Sequence, residues 1–270
     1  MVRKRDTKAF AQHSDRAHDP GAEVDSLRRG LELLRLFDAR HRSLQAADIA
    51  AKLGLSRVTA AKLIATLESQ NFLRPSSHGD GGFEPHVACL ALGRAVKRSL
   101  PIVPVAKPRM LALSQRFGVH VTLSTRDRLH MLVVEHVVPS GQVRMGLDAG
   151  ARLPLLSSAS GRAYLAAQPE PARSKLVKLI KADETQGAFR QATVDAAVHE
   201  LEKRGWCFLA SPVTSQTNSI ATPIRAGASA DYVLTAMAVG PDVKHDLRDE
   251  VAPDLLNQAR QIAFELGAAG

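Results

Sequence analysis

The first residues that could do chemistry surround Lys62, a cation among small side chains. Apolar residues recur three and four positions apart from Ala60 to Leu67, which predicts a helix with one buried face. The opposite face then combines positive charge with small neighbours. Such a face fits the major groove of duplex DNA, where acidic or bulky side chains would repel or clash. The candidate DNA-binding residues here are Ser56, Arg57, Val58, Thr59, Ala61 and Lys62.

A second group of candidates is a run of small residues before and at the start of another predicted helix. The first backbone N–H groups of a helix have no partner within it, and together with the helix dipole they favour a carboxylate. Serine hydroxyls can add donors. The alternative is an ordinary capped helix start, which needs no ligand. The residues concerned are Ser158, Ala159, Ser160 and Gly161.

Two other arrangements of reactive residues match established motifs poorly. The segment Ser158 to Gly161 lacks the leading glycine of the G-x-S-x-G nucleophile motif, and no base stands at a diagnostic position. A metal site on neighbouring strands is conceivable, but the spacing of its ligands matches no strong zinc pattern. Those ligands would be His120, His130, His136 and Glu135. We therefore expect no catalytic residues, no metal and no cofactor.

The helix around Lys62 must be positioned by the residues that precede it. Ser56 can accept a backbone N–H as the N-cap, and Gly54 can adopt the left-handed conformation of a sharp turn. A shorter helix over 46–53 precedes that turn, and a helix over 24–37 would complete the apolar core. This order predicts a helix-turn-helix, although a solvated two-helix corner of any helical domain has the same pattern.

A hairpin is predicted directly after this helix pair. Short segments at 72–74 and 82–84 flank a polar, glycine-containing tip at 75–81. A hairpin that follows a recognition helix is a wing, whose polar side chains reach sugar and phosphate, although Asp80 would work against binding. The candidate contacts on the wing are Arg74, Ser76, Ser77 and His78.

Charge and composition narrow the class of protein. The formal net charge is +9, with 36 Lys and Arg against 27 Asp and Glu, which suits a polyanionic partner. Two cysteines are too few for a disulfide framework, and no signal peptide or membrane span is evident, so we expect a cytoplasmic protein. Residues 1–23 are polar and basic; we predict a disordered arm that either adds phosphate contacts or is simply an unstructured terminus.

The rest of the chain alternates helical and extended patterns, from a helix over 103–117 to a closing helix over 243–266 that Asp242 would cap. The first two strands would be joined by a turn at Arg126-Asp127. This mixture predicts an α+β domain around an antiparallel sheet. The predicted strands are 119–124, 129–138, 143–147, 206–209, 220–225 and 232–239, and the further helices are 161–167, 173–181 and 194–204.

The order and spacing of these motifs resemble those of a known family. Ser26 to Leu34, Leu53 to Thr59 and Leu67-Glu68 resemble the winged helix-turn-helix of the isocitrate lyase regulator (IclR) family. The segment His86 to Arg98 resembles the linker helix of that family, and later segments match its effector domain. The resulting division is a basic arm at 1–23, a winged helix-turn-helix at 24–85, a linker helix at 86–100 and an α+β effector-binding domain at 101–270.

Two positions of the recognition helix, Val58 and Ala61, depart from the family, which often has polar groups there. Apolar side chains contact thymine methyl groups, so we expect thymines where this helix meets the centre of the groove. Lys62, Arg57 and Thr59 would then supply the hydrogen bonds.

The resemblance also implies where a ligand binds. Ala159 and Ser160 fall at the family's backbone contacts to its ligand, and the other contacts fall on predicted strands. Polar residues are frequent at those strand positions in the family, whereas here most are apolar and can bury a ring or alkyl chain. We expect a carboxylate with an apolar body, such as an aromatic or branched acid; the alternative is a degenerate pocket. The implied effector-binding residues are Ser158, Ala159, Ser160, Gly161, Leu209, Ser219, Met237 and Val239.

Together these features predict a DNA-binding transcription regulator, repressor or activator, rather than an enzyme. One recognition helix covers only a few base pairs, so we expect a dimer on an inverted repeat, with Val87, Leu90 and Leu92 of the linker helix at its interface. The resemblance implies that dimers pair into a tetramer. The expected partners are operator DNA, a small organic acid and further copies of the chain, with no membrane. The alternatives are a ligand-blind DNA-binding protein and a metabolite-processing enzyme with a helical docking module.

Overall fold

The computed structural model of the protein describes residues 23–38, 41–142, 146–183, 188–210, 217–225, 230–239 and 246–268. These residues fall into two compact units, one within Asp15–Ser99 and the other within Leu100–Gly270. The predicted basic arm lies outside the described residues except for Glu23, and so does most of the strand predicted at 143–147. Within the described ranges, every helix is too short or too polar to cross a bilayer.

The first unit consists of three helices, a two-stranded hairpin and a fourth helix. Its elements are α1 (Asp25–Leu34), α2 (Ala46–Lys52), α3 (Arg57–Ser69), β1 (Leu73–Pro75), β2 (Phe83–Pro85) and α4 (Val87–Ser99). Its small apolar core contains Leu33, Ile49, Ile64 and Leu73, one residue each from α1, α2, α3 and β1, together with Leu44 before α2. Each helix contributes one face, as the spacing of its apolar residues predicts. This arrangement confirms the predicted winged helix-turn-helix.

The second unit is built on a six-stranded antiparallel sheet. Its strands are β3 (His120–Asp127), β4 (His130–Val137), β5 (Arg152–Pro154), β6 (Cys207–Ala210), β7 (Thr217–Arg225) and β8 (Ala230–Val239). They lie in the order β5-β4-β3-β8-β7-β6, and every neighbouring pair is antiparallel. The two central strands, β3 and β8, are therefore far apart in sequence.

Helices cover both faces of this sheet. They are α5 (Ile102–Phe117), α6 (Ala159–Ala167), α7 (Glu170–Ala182), α8 (Gln191–Arg204) and α9 (Ala252–Ala268). On one face α5 and α9 share a core with Val121 and Ile220, and on the other α6, α7 and α8 share a core with Cys207 and Val233. Successive strand residues point to opposite faces, which explains the two separate cores. The predicted α+β fold is confirmed, and the side covered by α6 is called the α6 face below.

The turn between β3 and β4 lies two residues later than the sequence predicts. Asp127 and His130 are the last paired residues, so the turn is Arg128-Leu129 rather than Arg126-Asp127. Arg128 has a φ of 55°, the left-handed conformation that a two-residue hairpin turn requires. Arg126 remains in the strand, and its Nε donates to the hydroxyl of Tyr164, 3.0 Å away.

The closing helix also begins later than predicted. It starts with a π-helical turn at Leu247–Val251 and continues as α9. Asp246 caps this turn, because its carboxylate accepts two backbone N–H groups at 2.7 and 3.0 Å. The predicted cap, Asp242, and the predicted first residue, Val243, lie outside the described residues. The edge strand β5, which pairs with β4, is absent from the predicted elements because three residues show no alternation.

Candidate DNA-binding and effector-binding sites

The start of α3 is fixed by Gly54 and Ser56. Gly54 has a φ of +61°, so the chain turns where a side chain would be strained. Ser56 is the N-cap: its hydroxyl accepts the backbone N–H of Thr59 at 3.1 Å and lies 2.9 Å from the Thr59 hydroxyl. Both hydroxyls therefore hold the first turn of α3 in place.

One side of α3 is exposed and carries the predicted DNA-binding residues. Ala60 and Ile64 are at most 2% exposed, so helical geometry turns the opposite side to solvent. The first turn contains no acidic residue. A side with positive charge and small side chains can enter a major groove without repulsion or clash. The exposed residues are Arg57, Val58, Ala61, Lys62, Ala65 and Thr66, and Thr59 is half-buried.

The wing holds its arginine in a salt bridge. Arg74 on β1 lies opposite Glu84 on β2, and its Nε and Nη2 are 2.7 and 2.6 Å from one Glu84 oxygen. The Ser77 hydroxyl donates to the other oxygen at 3.4 Å. Burial alone would raise the pKa of the Glu84 carboxyl, but these donors lower it below its ordinary value, so Glu84 stays charged. A negative charge thus accompanies two predicted wing contacts, Arg74 and Ser77.

At the tip of the wing, the acidic residue Asp80 is hydrogen-bonded to the backbone of the wing itself. The carboxylate of Asp80 accepts the N–H of Gly82 at 3.0 Å, and this bond, together with the Ser76 hydroxyl, lowers the pKa of Asp80. The same Ser76 hydroxyl accepts the backbone N–H of His78 at 3.2 Å. The His78 side chain is exposed, so it is the wing group whose approach to sugar and phosphate needs the least rearrangement.

The second candidate site begins at the N-terminus of α6. Ser158 is the N-cap, and its hydroxyl accepts the N–H of Gly161 at 3.0 Å. This cap occupies the third N–H of the helix and leaves those of Ala159 and Ser160 to other partners. A Cβ added at Gly161 would lie 2.3 Å from the carbonyl oxygen of Leu155. Gly161 therefore lets α6 pack directly against the preceding segment.

The predicted strand residues lie side by side on the α6 face. Leu209, Ser219 and Met237 are directly opposite one another on β6, β7 and β8. Leu209 also packs against the core to which Ala159 of α6 belongs. Val239 lies two residues beyond Met237 and so on the same face. The structure therefore brings the strand residues and the start of α6 into one layer.

The same row continues onto β3, where it reaches a histidine that the sequence does not assign to the site. His120 lies opposite Met237 and is 1% exposed. Its Nδ1 is 3.1 Å from Nε2 of His136, and the two rings stack with their centroids 5.3 Å apart. Burial lowers the pKa of His120, so the ring is neutral at pH 7. A polar histidine pair thus adjoins the apolar Met237.

A β-bulge in β4 brings the two histidines together. The pairing of β3 with β4 shifts by one residue between Leu123 and Ser124, which leaves Val134 as an extra residue on β4. A shift of one residue reverses the face to which each later side chain points. Beyond the bulge, His136 therefore points to the same face as His120, and no local sequence pattern predicts this register.

The other residues considered as metal ligands lie elsewhere. His130 is at the turn end of β4, and Glu135 points to the opposite face, where Lys107 of α5 lies 3.9 Å from its carboxylate. Across the ranges that the structure describes, no three ligating side chains form a cluster suited to a metal ion. The histidine pair is instead a hydrogen-bonded pair of rings.

Two grooves lie away from these residues. One, of about 220 Å³, lies between β7 and α9, and the other, of about 560 Å³, lies between α7 and α8. None of the predicted effector-binding residues lines either groove. Neither groove reaches the start of α6 or the strand residues opposite it, so the candidate effector site lies on the α6 face and not in these grooves.

Two family models match the chain. "Bacterial transcriptional regulator IclR C-terminal" matches residues 94–266, more than half of the chain, and "IclR helix-turn-helix domain" matches residues 26–77. Among curated proteins, the HTH-type transcriptional regulator TsaQ1/TsaQ2 of Comamonas testosteroni is 29% identical over 253 residues. That match covers 91% of this chain and 90% of the relative.

Solved structures share the fold. An IclR family transcriptional regulator from Brucella abortus has a TM-score of 0.78 at 29% identity, over 92% of this chain and 95% of that one. An IclR homolog from Microbacterium hydrocarbonoxydans, complexed with 4-hydroxybenzoate, has a TM-score of 0.69 at 19% identity, over 90% of this chain and 99% of that one. The chain belongs to the IclR family of bacterial transcriptional regulators.

Proposed function

We propose that this IclR-type regulator binds an inverted-repeat operator as a dimer or tetramer and responds to a small organic acid. The observation that carries the DNA-binding part is the exposed side of α3, where Arg57 and Lys62 stand among small side chains. Helix-turn-helix proteins place such a helix in the major groove. The proposed contacts are Ser56, Arg57, Val58, Thr59, Ala61 and Lys62 on the helix and Arg74, Ser77 and His78 on the wing.

Self-association is supported by apolar side chains that the chain leaves exposed. The linker helix α4 buries none of its residues. Large exposed apolar surface marks an interaction site, and two copies on one DNA face give the specificity that a single helix lacks. Several apolar residues of α1 and α4, and the residue just before α1, are more than half exposed. They are Val24, Leu27, Leu31, Val87, Leu90, Leu92 and Val96.

The proposed effector site joins the start of α6 to the α6 face. The N–H groups of Ala159 and Ser160 would bind a carboxylate, with the Ser160 hydroxyl as a further donor. The Ser158 hydroxyl already donates to the carbonyl oxygen of Pro154 at 2.7 Å, so Ser158 would act by holding the start of α6 in place. The homolog complexed with 4-hydroxybenzoate supports an aromatic acid as the ligand class. The apolar body would lie against the strands, where the lining residues are Leu209, Ser219, Met237 and Val239.

Ligand binding would control DNA binding through its differential affinity for two arrangements of the oligomer. An acid that binds both arrangements with equal affinity leaves the equilibrium between them unchanged, however tightly it binds. The proposal therefore requires an acid whose binding changes operator affinity and whose own affinity changes reciprocally when operator is present.

Selection of genomic fragments tests the proposed function. Full-length protein is mixed with fragments of the source genome at about 150 mM salt and excess competitor DNA, because non-specific phosphate binding weakens steeply with salt. We expect a few enriched fragments that share an inverted repeat, whose neighbouring genes nominate acids for calorimetry. Lys62→Glu, which reverses the charge on the exposed side of α3, is the control and should enrich none.

Two outcomes would contradict the proposal. Recovery of nothing above background would remove the operator-binding part. Enriched fragments whose affinity no acid alters would instead identify a ligand-blind DNA-binding protein.

A further inference from the structure

Three buried side chains on the α6 face have polar atoms with no hydrogen-bond partner within the described part of the chain. The atoms are Nε2 of His120, Oγ of Ser124 and Oγ1 of Thr235, and each residue is at most 3% exposed. A buried donor or acceptor without a partner costs free energy, so each one requires an explanation. The described residues of this face therefore leave polar atoms that a bound group can pair with.

These residues are neighbours on the two central strands. Thr235 lies opposite Thr122 and is therefore diagonal to His120 on one side and to Ser124 on the other. Diagonal neighbours are about 7–8 Å apart, so a ligand group between His120 and Thr235 can contact both side chains, whereas Ser124 lies four residues, or about 13 Å, from His120 along β3. His120 in turn lies opposite Met237 of the proposed effector site. The residues His120, His136, Ser124 and Thr235 are called the polar cluster.

The residues at the margins of this surface are partly exposed. Ser219 and Val239, at one side of the row, are half-buried, and so is His136 at the other. The polar cluster is thus continuous with residues that a ligand can reach.

The histidine pair can either donate or accept at Nε2 of His120. A neutral imidazole has one N–H and one bare nitrogen, and the 3.1 Å contact between the rings uses one of each. When His120 donates to His136, its Nε2 is an acceptor. When His136 donates to His120, Nε2 of His120 carries the proton and is a donor. A hydroxyl, which both donates and accepts, fits either arrangement.

A neutral oxygen group suits this cluster better than a second anion. Burial lowers the pKa of His120 more than the nearby Gln142 carboxamide raises it, so the ring is uncharged. The polar cluster itself contains imidazoles and hydroxyls but neither lysine nor arginine. The cation on the same face of β3, Arg126, lies six residues from His120 and donates to the Tyr164 hydroxyl at 3.0 Å. A carboxylate beside His120 would therefore have no cation within the polar cluster, which is costly in a site removed from water.

We propose that the polar cluster binds a hydroxyl group of the effector, which makes the effector a hydroxy-substituted organic acid. The inference rests on the proposed function, because it takes the carboxylate to bind at the start of α6 and says what binds the opposite end of the same ligand. The carboxylate binds at Ala159 and Ser160, the body packs against Leu209 and Met237, and the hydroxyl meets His120. Hydrogen bonding then adds to the apolar burial that the sequence alone predicts.

Calorimetry with matched acids tests this assignment. Full-length protein is titrated with benzoate, 3-hydroxybenzoate, 4-hydroxybenzoate and 4-fluorobenzoate, whose fluorine has a similar size but cannot donate a hydrogen bond. We expect one hydroxybenzoate to bind about tenfold more tightly than benzoate and the fluoro acid, the factor that one net hydrogen bond supplies. Equal affinities for all four acids would overturn the hydroxyl assignment and leave an acid-responsive regulator. Failure of every acid to bind, with operator binding intact, would overturn both the assignment and the acid-responsive part of the proposed function.

Thr235→Val is the variant of choice, because valine keeps the shape of threonine and removes its hydroxyl. This variant should reduce the ratio of the affinity for the hydroxy acid to the affinity for benzoate from about tenfold to nearly equal affinities. The matched control is Ser114→Ala: Ser114 is 1% exposed, and its hydroxyl also lacks a partner within the described ranges, but it lies on α5 at the other face of the sheet. An unchanged preference in Thr235→Val, or an equal loss in both variants, would overturn the assignment.

Nitrogen NMR of the imidazoles provides a readout that does not depend on a variant. Addition of the preferred hydroxybenzoate should shift the Nε2 resonance of His120, whereas 4-fluorobenzoate should leave it near its free position. Absence of a shift at saturating hydroxybenzoate would show that the histidine pair does not contact the ligand.

Discussion

At the residue scale, the DNA-binding surface contains cations in different electrostatic situations. The guanidinium of Arg74 lies within 2.7 Å of Glu84, whereas Lys62 has no ion pair within the described residues. A cation gains affinity for DNA by replacing counterions on phosphates, and a cation beside a carboxylate brings an opposing charge with it. Lys62 and Arg74 should therefore contribute differently although their formal charges are equal.

Salt dependence of operator binding separates these contributions. Lys62→Ala should reduce the slope of log K against log salt by about 1, because one cation that releases counterions from the DNA is lost. Arg74→Gln combined with Glu84→Gln should leave the slope unchanged, since it removes a neutral pair, and Glu84→Gln alone should steepen it. Fluorescence anisotropy at about 50 to 200 mM salt measures all three. A double variant that loses as much slope as Lys62→Ala would show that Arg74 releases counterions like an unpaired cation, and would contradict the expectation that Glu84 cancels its charge at the DNA contact.

The apolar part of the recognition helix makes a prediction about bases. Val58 is 66% exposed beside Ala61, so both side chains are available to thymine methyl groups. Replacing the central thymines of the operator by uracil should weaken binding by about 0.8 kcal/mol for each methyl that a side chain covers. The same replacement should have less effect on Val58→Ala protein. Equal affinities of wild-type protein for both DNAs would rule out this contact.

The buried His120 also predicts a pH dependence of stability. In the folded protein, burial holds its pKa below the unperturbed value of 6.5. As pH falls below 6.5, the unfolded chain binds a proton that the folded chain does not, so the free energy of unfolding decreases until the folded pKa is reached. The slope is at most about 1.4 kcal/mol per pH unit for one histidine.

Urea unfolding between about pH 5 and pH 8 measures this dependence, which should be weaker in His120→Gln. The control is His199→Gln, because His199 on α8 is exposed. A profile that is the same in His120→Gln and wild-type protein would assign the acid sensitivity to other groups, such as His130, whose pKa is also lowered by burial.

At the element scale, the cap of α3 combines a structural task with a position at the DNA-binding surface. Ser56→Ala should lower the free energy of unfolding by about 1 kcal/mol, because the N–H of Thr59 loses its acceptor. Ser56→Asp should keep the cap and the stability, since a carboxylate suits a helix N-terminus, but its charge should weaken DNA binding. Urea unfolding and anisotropy measure the two effects separately. Full DNA affinity in Ser56→Asp would mean that this end of α3 stays away from the phosphates.

Elements with local signals are predictable from sequence, whereas those that depend on pairing are not. α3 follows from the Ser56 cap and from apolar spacing, both of which lie within the helix or beside it. The β3–β4 turn begins at Arg128, because both strands stay paired beyond the polar Arg126. A polar residue in the sequence does not show whether the chain still pairs with a neighbouring strand at that point. The edge strand β5 depends on β4 for its existence.

The same distinction applies to the candidate sites. Ser158 and the start of α6 follow from local composition. The histidine pair depends on the extra residue Val134, because without that bulge His136 would point to the face opposite His120. Sequence patterns repeat at fixed periods and contain no sign of such an insertion, so the α6 face looks more apolar in the sequence than it is in the structure.

At the scale of the whole molecule, exposed apolar side chains are the strongest reason to expect more than one copy. Leu90 on α4 is 75% exposed, and Leu27 on α1 is 61% exposed. Leu90→Lys should therefore produce monomers, because a buried lysine without a partner is costly in an interface. The affinity for a complete inverted repeat should then fall at least about tenfold and approach the affinity for a single half-site, because a monomer contacts only one half-site. Sedimentation velocity and anisotropy with whole and half operators measure these changes.

The matched control is Leu179→Lys on α7, where the leucine is 56% exposed. It makes the same change of side chain in the second unit, so it separates a general effect of added charge from the loss of a particular interface. If α4 carries the dimer, Leu179→Lys keeps the dimer and its affinity for the inverted repeat, and Leu90→Lys retains only half-site binding. Dimers that persist in Leu90→Lys would exclude this face of α4 as the interface, and the exposed residues of α1 would be the next to substitute.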